Sequence, residues 1–238
     1  MAEIIKLGCL QLDRQPKGLG VKYNGEVLSF GDTDPVKAIP FVKWGNLLVA
    51  ARCICANISW NELNHFGFIF GWPIRIDGIP YLCRYLKAGI EVDAPNEWDS
   101  ILNDLGEDDS LWHWSGVYFW GQEILEGWGP LRVCRGCSSA RIWECNNASF
   151  RSTCIGFRPV LEPLAPTPPA TDTLIGTRLK IYGPNGDICG KLVDFNDYDL
   201  IVHPAPQQML HSSCKWAYTS EENIIVDWTA IVWMKETI

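Results

Sequence analysis

Apolar residues along this chain fall into short runs that turn residues break at close intervals. Ile4–Leu12 and Glu26–Phe30 read as strands, and Asn24-Gly25, between Val21-Lys22-Tyr23 and Glu26-Val27-Leu28, predicts a hairpin with a type I′ turn. The apolar run LLVAARCICA that follows Trp44 predicts one buried strand. Ile74–Leu86 alternates around Asp77-Gly78 and predicts a second hairpin.

Two stretches carry helical signals instead. Ser59-Trp60-Asn61-Glu62 places a serine cap and an acidic residue at the start of a short helix ending near Phe66. Pro95–Leu105 puts Trp98, Ile101, Leu102 and Leu105 on one face, so this helix is expected to pack inward. Its Pro95 and Glu97 suit a helix start. Gly106–Asp109 reads as a solvated acidic loop.

Arg132–Leu161 reads as the end of the first domain. A glycine turn at Arg135-Gly136 precedes Trp143, the polar run Glu144–Ser149 reads as a loop, and Ile155–Leu161 reads as one closing strand that Pro163 ends. The proline-rich stretch PLAPTPPAT, residues 163–171, predicts an extended linker between a domain at 1–162 and a module at 172–238. In that module Arg178–Tyr182, Ile188–Phe195, Tyr198–His203, Asn223–Trp228 and Thr229–Met234 predict five short strands closing into a small barrel.

With 47% hydrophobic residues and twelve tryptophans in 238 residues, the chain can bury a sizeable core. The formal net charge of −8 argues against general binding to nucleic acid or to an anionic membrane. No apolar run is long enough to cross a bilayer, and the opening stretch, broken by Lys6, Gln11 and Asp13, reads as lacking a secretory leader. A cytoplasmic protein is expected, with its ten cysteines serving mainly as small buried hydrophobes.

Arg135-Gly136, Ser138, Arg151 and Gly156-Phe157-Arg158 together resemble the closing signature of the formylglycine-generating-enzyme-like (sulfatase-modifying-factor) branch of the C-type-lectin fold. The resemblance covers residues 44–162, with Pro95-Asn96-Glu97-Trp98 and Trp112-His113-Trp114 at comparable places, and it is shared with proteins of Firmicutes phages and mobile elements. Residues 174–236, with an Asn185-Gly186 turn and Gly190 inside the second strand, resemble the Sm/Hfq-like fold. The expected fold class is therefore α+β: a C-type-lectin-like domain followed by a five-stranded Sm/SH3-like barrel. Sm-like relatives form rings and bind nucleotide bases, which implies homo-oligomerisation through the barrel. The module nevertheless carries five Lys/Arg against nine Asp/Glu over 170–238, which weakens an RNA-binding reading.

The enzyme family holds Cu(I) on a cysteine pair after its glycine turn. Here Cys134, Cys137, Cys145 and Cys154 surround that region, but the closely spaced pair is absent, so no cofactor and no metal are expected. Cys134-x-x-Cys137 has half of a zinc spacing with no second pair to repeat it. His113 reads either as a partly buried histidine bonded to backbone or as a catalytic group. Arg135 and Arg158 are expected to pair with internal carboxylates such as Glu97 or Asp99. Arg141 and Arg151 are candidates for ligand or partner contacts, together with Trp112, His113, Trp114, Trp143, Asn146 and Asn147. The expected function is a non-enzymatic binding protein of a phage or mobile element that blocks a bacterial defence system by binding a host protein or a nucleotide signal. A copper-dependent oxidase and an RNA-binding protein are the alternatives.

Overall fold

The computed structural model describes residues 2–237 apart from 92–93, 126, 128, 168, 170 and 211–213. It is β-rich, and the chain divides into two compact units, Met1–Pro163 and Leu164–Ile238. Within the linker stretch, Pro168 and Ala170 lie outside the described residues.

The first unit begins with β1 (Ile4–Leu7), β2 (Cys9–Leu12), β3 (Gln15–Pro16), β4 (Val21–Lys22), β5 (Leu28–Gly31), β6 (Ile39–Trp44), β7 (Leu47–Ala50) and β8 (Cys55–Ala56). Helix α1 (Trp60–His65) leads to the hairpin β9 (Trp72–Ile76) and β10 (Ile79–Arg84), then to α2 (Glu97–Leu105) and α3 (Asp109–Trp112). Strands β11 (Tyr118–Ile124), β12 (Leu131–Gly136), β13 (Trp143–Asn147), β14 (Ile155–Phe157) and β15 (Val160–Pro163) complete it. One sheet has the order β1-β6-β7-β15-β10-β9, a second β13-β12-β11-β14-β8-β4, and β3-β2-β5 form a small third.

Local chemistry is obeyed where it is strongest. The Ser59 N–H donates to Glu62 Oε2 at 2.9 Å while the Glu62 N–H donates back to the Ser59 hydroxyl, so the expected capping box closes α1. The β9–β10 turn has positive φ at both Asp77 (51°) and Gly78 (79°), as its sequence predicts. Helix α2 buries Trp98, Ile101 and Leu102 as expected, with Asn96 rather than Pro95 at its cap.

Three runs that read as single strands are each cut in two. Ile4–Leu12 breaks at Gly8, LLVAARCICA breaks after Ala50, and Ile155–Leu161 breaks at Arg158-Pro159. Each break passes the chain from one sheet to another, a transfer that apolar continuity alone cannot reveal. The Asn24-Gly25 hairpin does not form: β4 pairs in parallel with β8 and β5 pairs with β2, and only Gly25 of the two has positive φ. The polar run Glu144–Ser149 is not simply a loop, because Trp143–Asn147 is an edge strand on β12. An edge strand with one partner tolerates polar side chains that a central strand could not bury.

Arg158 also departs from expectation. It is fully buried and pairs with no carboxylate among the described residues; Nη2 donates to the Trp112 carbonyl at 2.6 Å and Nη1 to those of Ala51 (3.2 Å) and Ala50 (3.4 Å). Glu97 is taken by Arg84 instead. Arg135 does pair with Asp99, as expected.

The second unit contains β16 (Arg178–Gly183), β17 (Gly186–Phe195), β18 (Asp199–Pro204), β19 (Ala217–Ser220), β20 (Asn223–Asp227) and β21 (Trp233–Glu236), in the order β19-β20-β18-β17-β16-β21. A sixth strand, β19, joins the five expected ones, and a 3₁₀ turn at Trp228–Ala230 occupies the start of the last predicted strand. Part of the proline-bearing loop, residues 211–213, lies outside the described residues. Gly190 sits where β17 crosses closely over β18: a β-carbon there would lie 2.4 Å from the His203 carbonyl oxygen. Leu179, Ile181, Ile188, Leu192, Val202 and Val226 fill the centre of this unit. No helix among the described residues is long and apolar enough to cross a membrane.

Candidate functional site

A polar cleft of about 410 Å³ opens in the first unit between the start of α2 and the turn after β12. Its floor follows from the helix start. The Asn96 side chain accepts the Asp99 N–H at 2.8 Å and returns its own amide hydrogens to Asp99 Oδ2 (2.6 Å) and the Ala94 carbonyl (2.8 Å). With Trp98, Ile101 and Leu102 turned inward, Asp99 and Asn103 are left lining the cleft.

The opposite wall is made by two arginines. Gly136 (φ 101°) and Cys137 (φ 78°) both lie in the left-handed region, turning the chain sharply after β12. A β-carbon at Gly136 would stand 2.8 Å from the Val117 carbonyl oxygen, which is the physical demand behind the glycine that the sequence marks. Arg135, before the turn, is fully buried; Nη1 donates to the Ala88 carbonyl at 3.0 Å, Nη2 bonds Asp99 Oδ1, and Nε has no partner. Arg141, after the turn, is partly exposed; its Nε donates to Glu107 Oε1 at 2.6 Å and its Nη2 to Asn103 Oδ1 at 2.9 Å. The cleft thus offers two guanidinium groups, one carboxylate and two amides. Its one hydroxyl, that of Ser100, donates to the Asn96 carbonyl. This is a set of groups for holding a polar ligand, with no thiol or imidazole along its lining.

Of the residues selected from sequence, Arg141 alone borders this cleft. Trp112 is fully buried, edge-on to Trp98 with ring centres 5.2 Å apart, and its indole N–H donates to the Gly106 carbonyl, so it offers no face to a ligand. His113 caps α3 in the left-handed region (φ 46°), with Nδ1 2.9 Å from the Asp109 carbonyl oxygen, the backbone-bonded arrangement. Trp114 is half-buried and donates to the Glu107 carbonyl. Trp143 lies over a small apolar cluster and donates to the Gly89 carbonyl. On the same strand Asn146 bonds the Cys134 sulfur, while the Asn147 side chain closes the turn at Ser149. Arg151 bonds Glu62 and lies over the Tyr23 ring, 5.6 Å from its centre. These residues do not converge. Sequence reasoning used Asn96 and Asp99 only as fold features and overlooked Asn103. The Asn96-Glu97-Trp98-Asp99 helix start was the available signal.

Cys9, Cys53, Cys55, Cys83 and Cys134 are buried and serve packing, whereas Cys137, Cys145, Cys189 and Cys214 are partly exposed and Cys154 is exposed. Burial pushes the thiols of Cys55 and Cys134 up to about 12 and raises those of Cys53 and Cys83 as well. Protonated thiols of this kind are poor nucleophiles and poor metal ligands. Among the described residues, no three His, Cys, Asp or Glu side chains stand close enough to hold a metal. Comparison with protein-family models, curated proteins and solved structures finds no match to this chain.

Proposed function

We propose that this chain is a non-enzymatic binding protein of a phage or mobile element, which inhibits a bacterial defence system by holding a host protein or a nucleotide signal. In this reading the first unit is C-type-lectin-like and formylglycine-generating-enzyme-like, and the second is Sm-like. The observation that carries it is the cleft beneath Arg141. A buried guanidinium, Arg135, is fixed by Asp99 and the Ala88 carbonyl, and Asp99 is fixed in turn by Asn96, so the polar groups are positioned before any ligand arrives. Preorganised donors and acceptors without a free nucleophile suit recognition better than turnover. The anti-defence context rests on the resemblance of residues 44–162, and the cleft is its candidate site.

Native mass spectrometry of the intact protein, purified gently from bacteria carrying an active defence system, tests the reading. The expected spectrum shows a retained small ligand or a partner, lost in the Arg141→Ala variant. Stoichiometric copper on the reduced protein, or oxidation of a peptide thiol by it, would overturn the reading in favour of an oxidase.

A further inference from the structure

The second unit is acidic overall, and the outward face of its sheet carries most of its cations beside Asp187, Asp199 and Asp227. Of the five Lys and Arg residues over 170–238, Arg178, Lys180, Lys191 and Lys235 share that face and only Lys215 does not belong to it. The register decides this. Arg178 stands opposite Lys191 on β17, Lys191 stands opposite His203 on β18, and Lys180 stands opposite Lys235 on β21. Directly paired residues project to the same side of a sheet, and the intervening Leu179, Val202 and Met234 are buried on the other side.

Lys180 is neutralised by Asp187, 3.2 Å away. Arg178 and Lys191 are not: among the described residues neither reaches a carboxylate. With His203 they form a row across three adjacent strands, about 10 Å long at the usual strand spacing. The row borders a groove of about 460 Å³, with Pro204 and Ala205 beside β17 and Thr237 beside Arg178.

We infer that this groove is a binding site for a short oligophosphate, carried either as a free chain or as the tail of a nucleotide. Arg178 and Lys191, about 5 Å apart at the backbone with the His203 ring beyond them, call for a ligand that brings several negative charges to two neighbouring cations. An oligophosphate carries charge on every phosphate and so brings more charge per length to the pair than an extended peptide, whose carboxylates on one face recur only every second residue, roughly 6.6 Å apart. Arginine's planar fork and a neighbouring lysine are the usual pair for phosphate oxygens. The net charge of −8 selects against a long polyanion, which would meet the acidic surface beyond the row, and in favour of a ligand short enough to meet the row alone. The site is independent of the cleft in the first unit.

Calorimetric titration of the full chain with inorganic tripolyphosphate tests this. Saturable one-site binding is expected, weakened roughly tenfold by Lys191→Gln and by Arg178→Gln, the worth of one charge-assisted contact. Both positions are exposed, so the variants keep the fold, and Lys215→Gln serves as the control that leaves binding unchanged. Adenosine triphosphate in a second arm separates the two sources: equal affinity means that the phosphate chain alone is recognised, and tighter affinity that a nucleotide tail is the ligand. No binding of tripolyphosphate, binding indifferent to Lys191 and Arg178, or equal affinity for a tetraglutamate peptide would each overturn the assignment.

Discussion

Arg84 and Glu97 meet in a two-pronged ion pair, Nη1 to Oε2 and Nη2 to Oε1, each at 2.8 Å. The same guanidinium reaches Glu162 on β15, and Glu97 Oε2 also accepts the Lys87 N–H at 2.9 Å. The pair therefore ties the first turn of α2 to the end of β10, and with it the floor of the cleft.

Burial alone would raise the Glu97 pKa. The bonds from Arg84 and the Lys87 N–H outweigh burial and hold it below the ordinary value of 4.5. A carboxylate whose pKa is lower folded than unfolded stabilises fully above its unfolded value, and that contribution disappears as pH falls through the folded one. Glu97→Gln is thus expected to cost about 2 kcal/mol at pH 7, because it leaves the largely buried Arg84 with only the more exposed Glu162 as a charge partner. The gap between wild type and variant should close as pH drops below 4.5. Urea unfolding at a series of pH values measures both. A gap that stays constant to pH 3 would show that the charge of Glu97 is not what matters.

The elements that the sequence revealed are those whose cause lies within a few residues. Ser59 and Glu62 cap each other across one helical turn, and Asp77-Gly78 supplies the two left-handed positions its hairpin needs. Asn24-Gly25 has the same local chemistry, but the Tyr23 N–H goes to the Ala56 carbonyl, a partner more than thirty residues away, and the local hairpin loses. The sheet changes at Gly8, after Ala50 and at Arg158-Pro159 were hidden for a related reason. Both halves of each run are apolar, so hydrophobicity marks burial without saying in which sheet. At the site, Arg141 was found from its charge. Asn96 and Asn103 were not singled out, because an amide acquires a role only when a distant β-turn brings guanidinium groups to it.

Thiol reactivity gives a second prediction. Cys154 is exposed, whereas Cys55, Cys83 and Cys134 are buried. At pH 8 a thiol with its pKa pushed to about 12, as for Cys55 and Cys134, is ionised to only roughly one part in ten thousand, and the thiolate is the species that attacks. Iodoacetamide under native conditions should modify Cys154 first and leave Cys55 and Cys134 untouched until denaturant is added, as read by peptide mapping over time. Labelling of Cys134 at the rate of Cys154 would sink the packing account of the cysteines and reopen a reactive-thiol reading of the segment.

Arg158 supplies the third. Its guanidinium lies 5.2 Å from the centre of the Trp98 ring and 4.8 Å from that of Phe119, and it donates to three main-chain carbonyls at the point where the chain crosses between sheets. Burial lowers its pKa, yet a guanidinium remains charged at neutral pH. Replacing a buried ion pair by apolar residues can be harmless when both partners go. Here the partners are the carbonyls of Ala50, Ala51 and Trp112, which no side-chain substitution removes. Arg158→Met keeps the contact with the rings and abandons those carbonyls, so it should cost about 4 kcal/mol. Arg158→Lys keeps a charge and some hydrogen bonds but loses the planar stack, and should cost about half as much. Urea melts give the two values, and near-ultraviolet circular dichroism follows the packing of Trp98 and Trp112 around the site. If the methionine variant is as stable as wild type within about 1 kcal/mol, the carbonyls find other donors and Arg158 is not what holds the two sheets in register at this crossing.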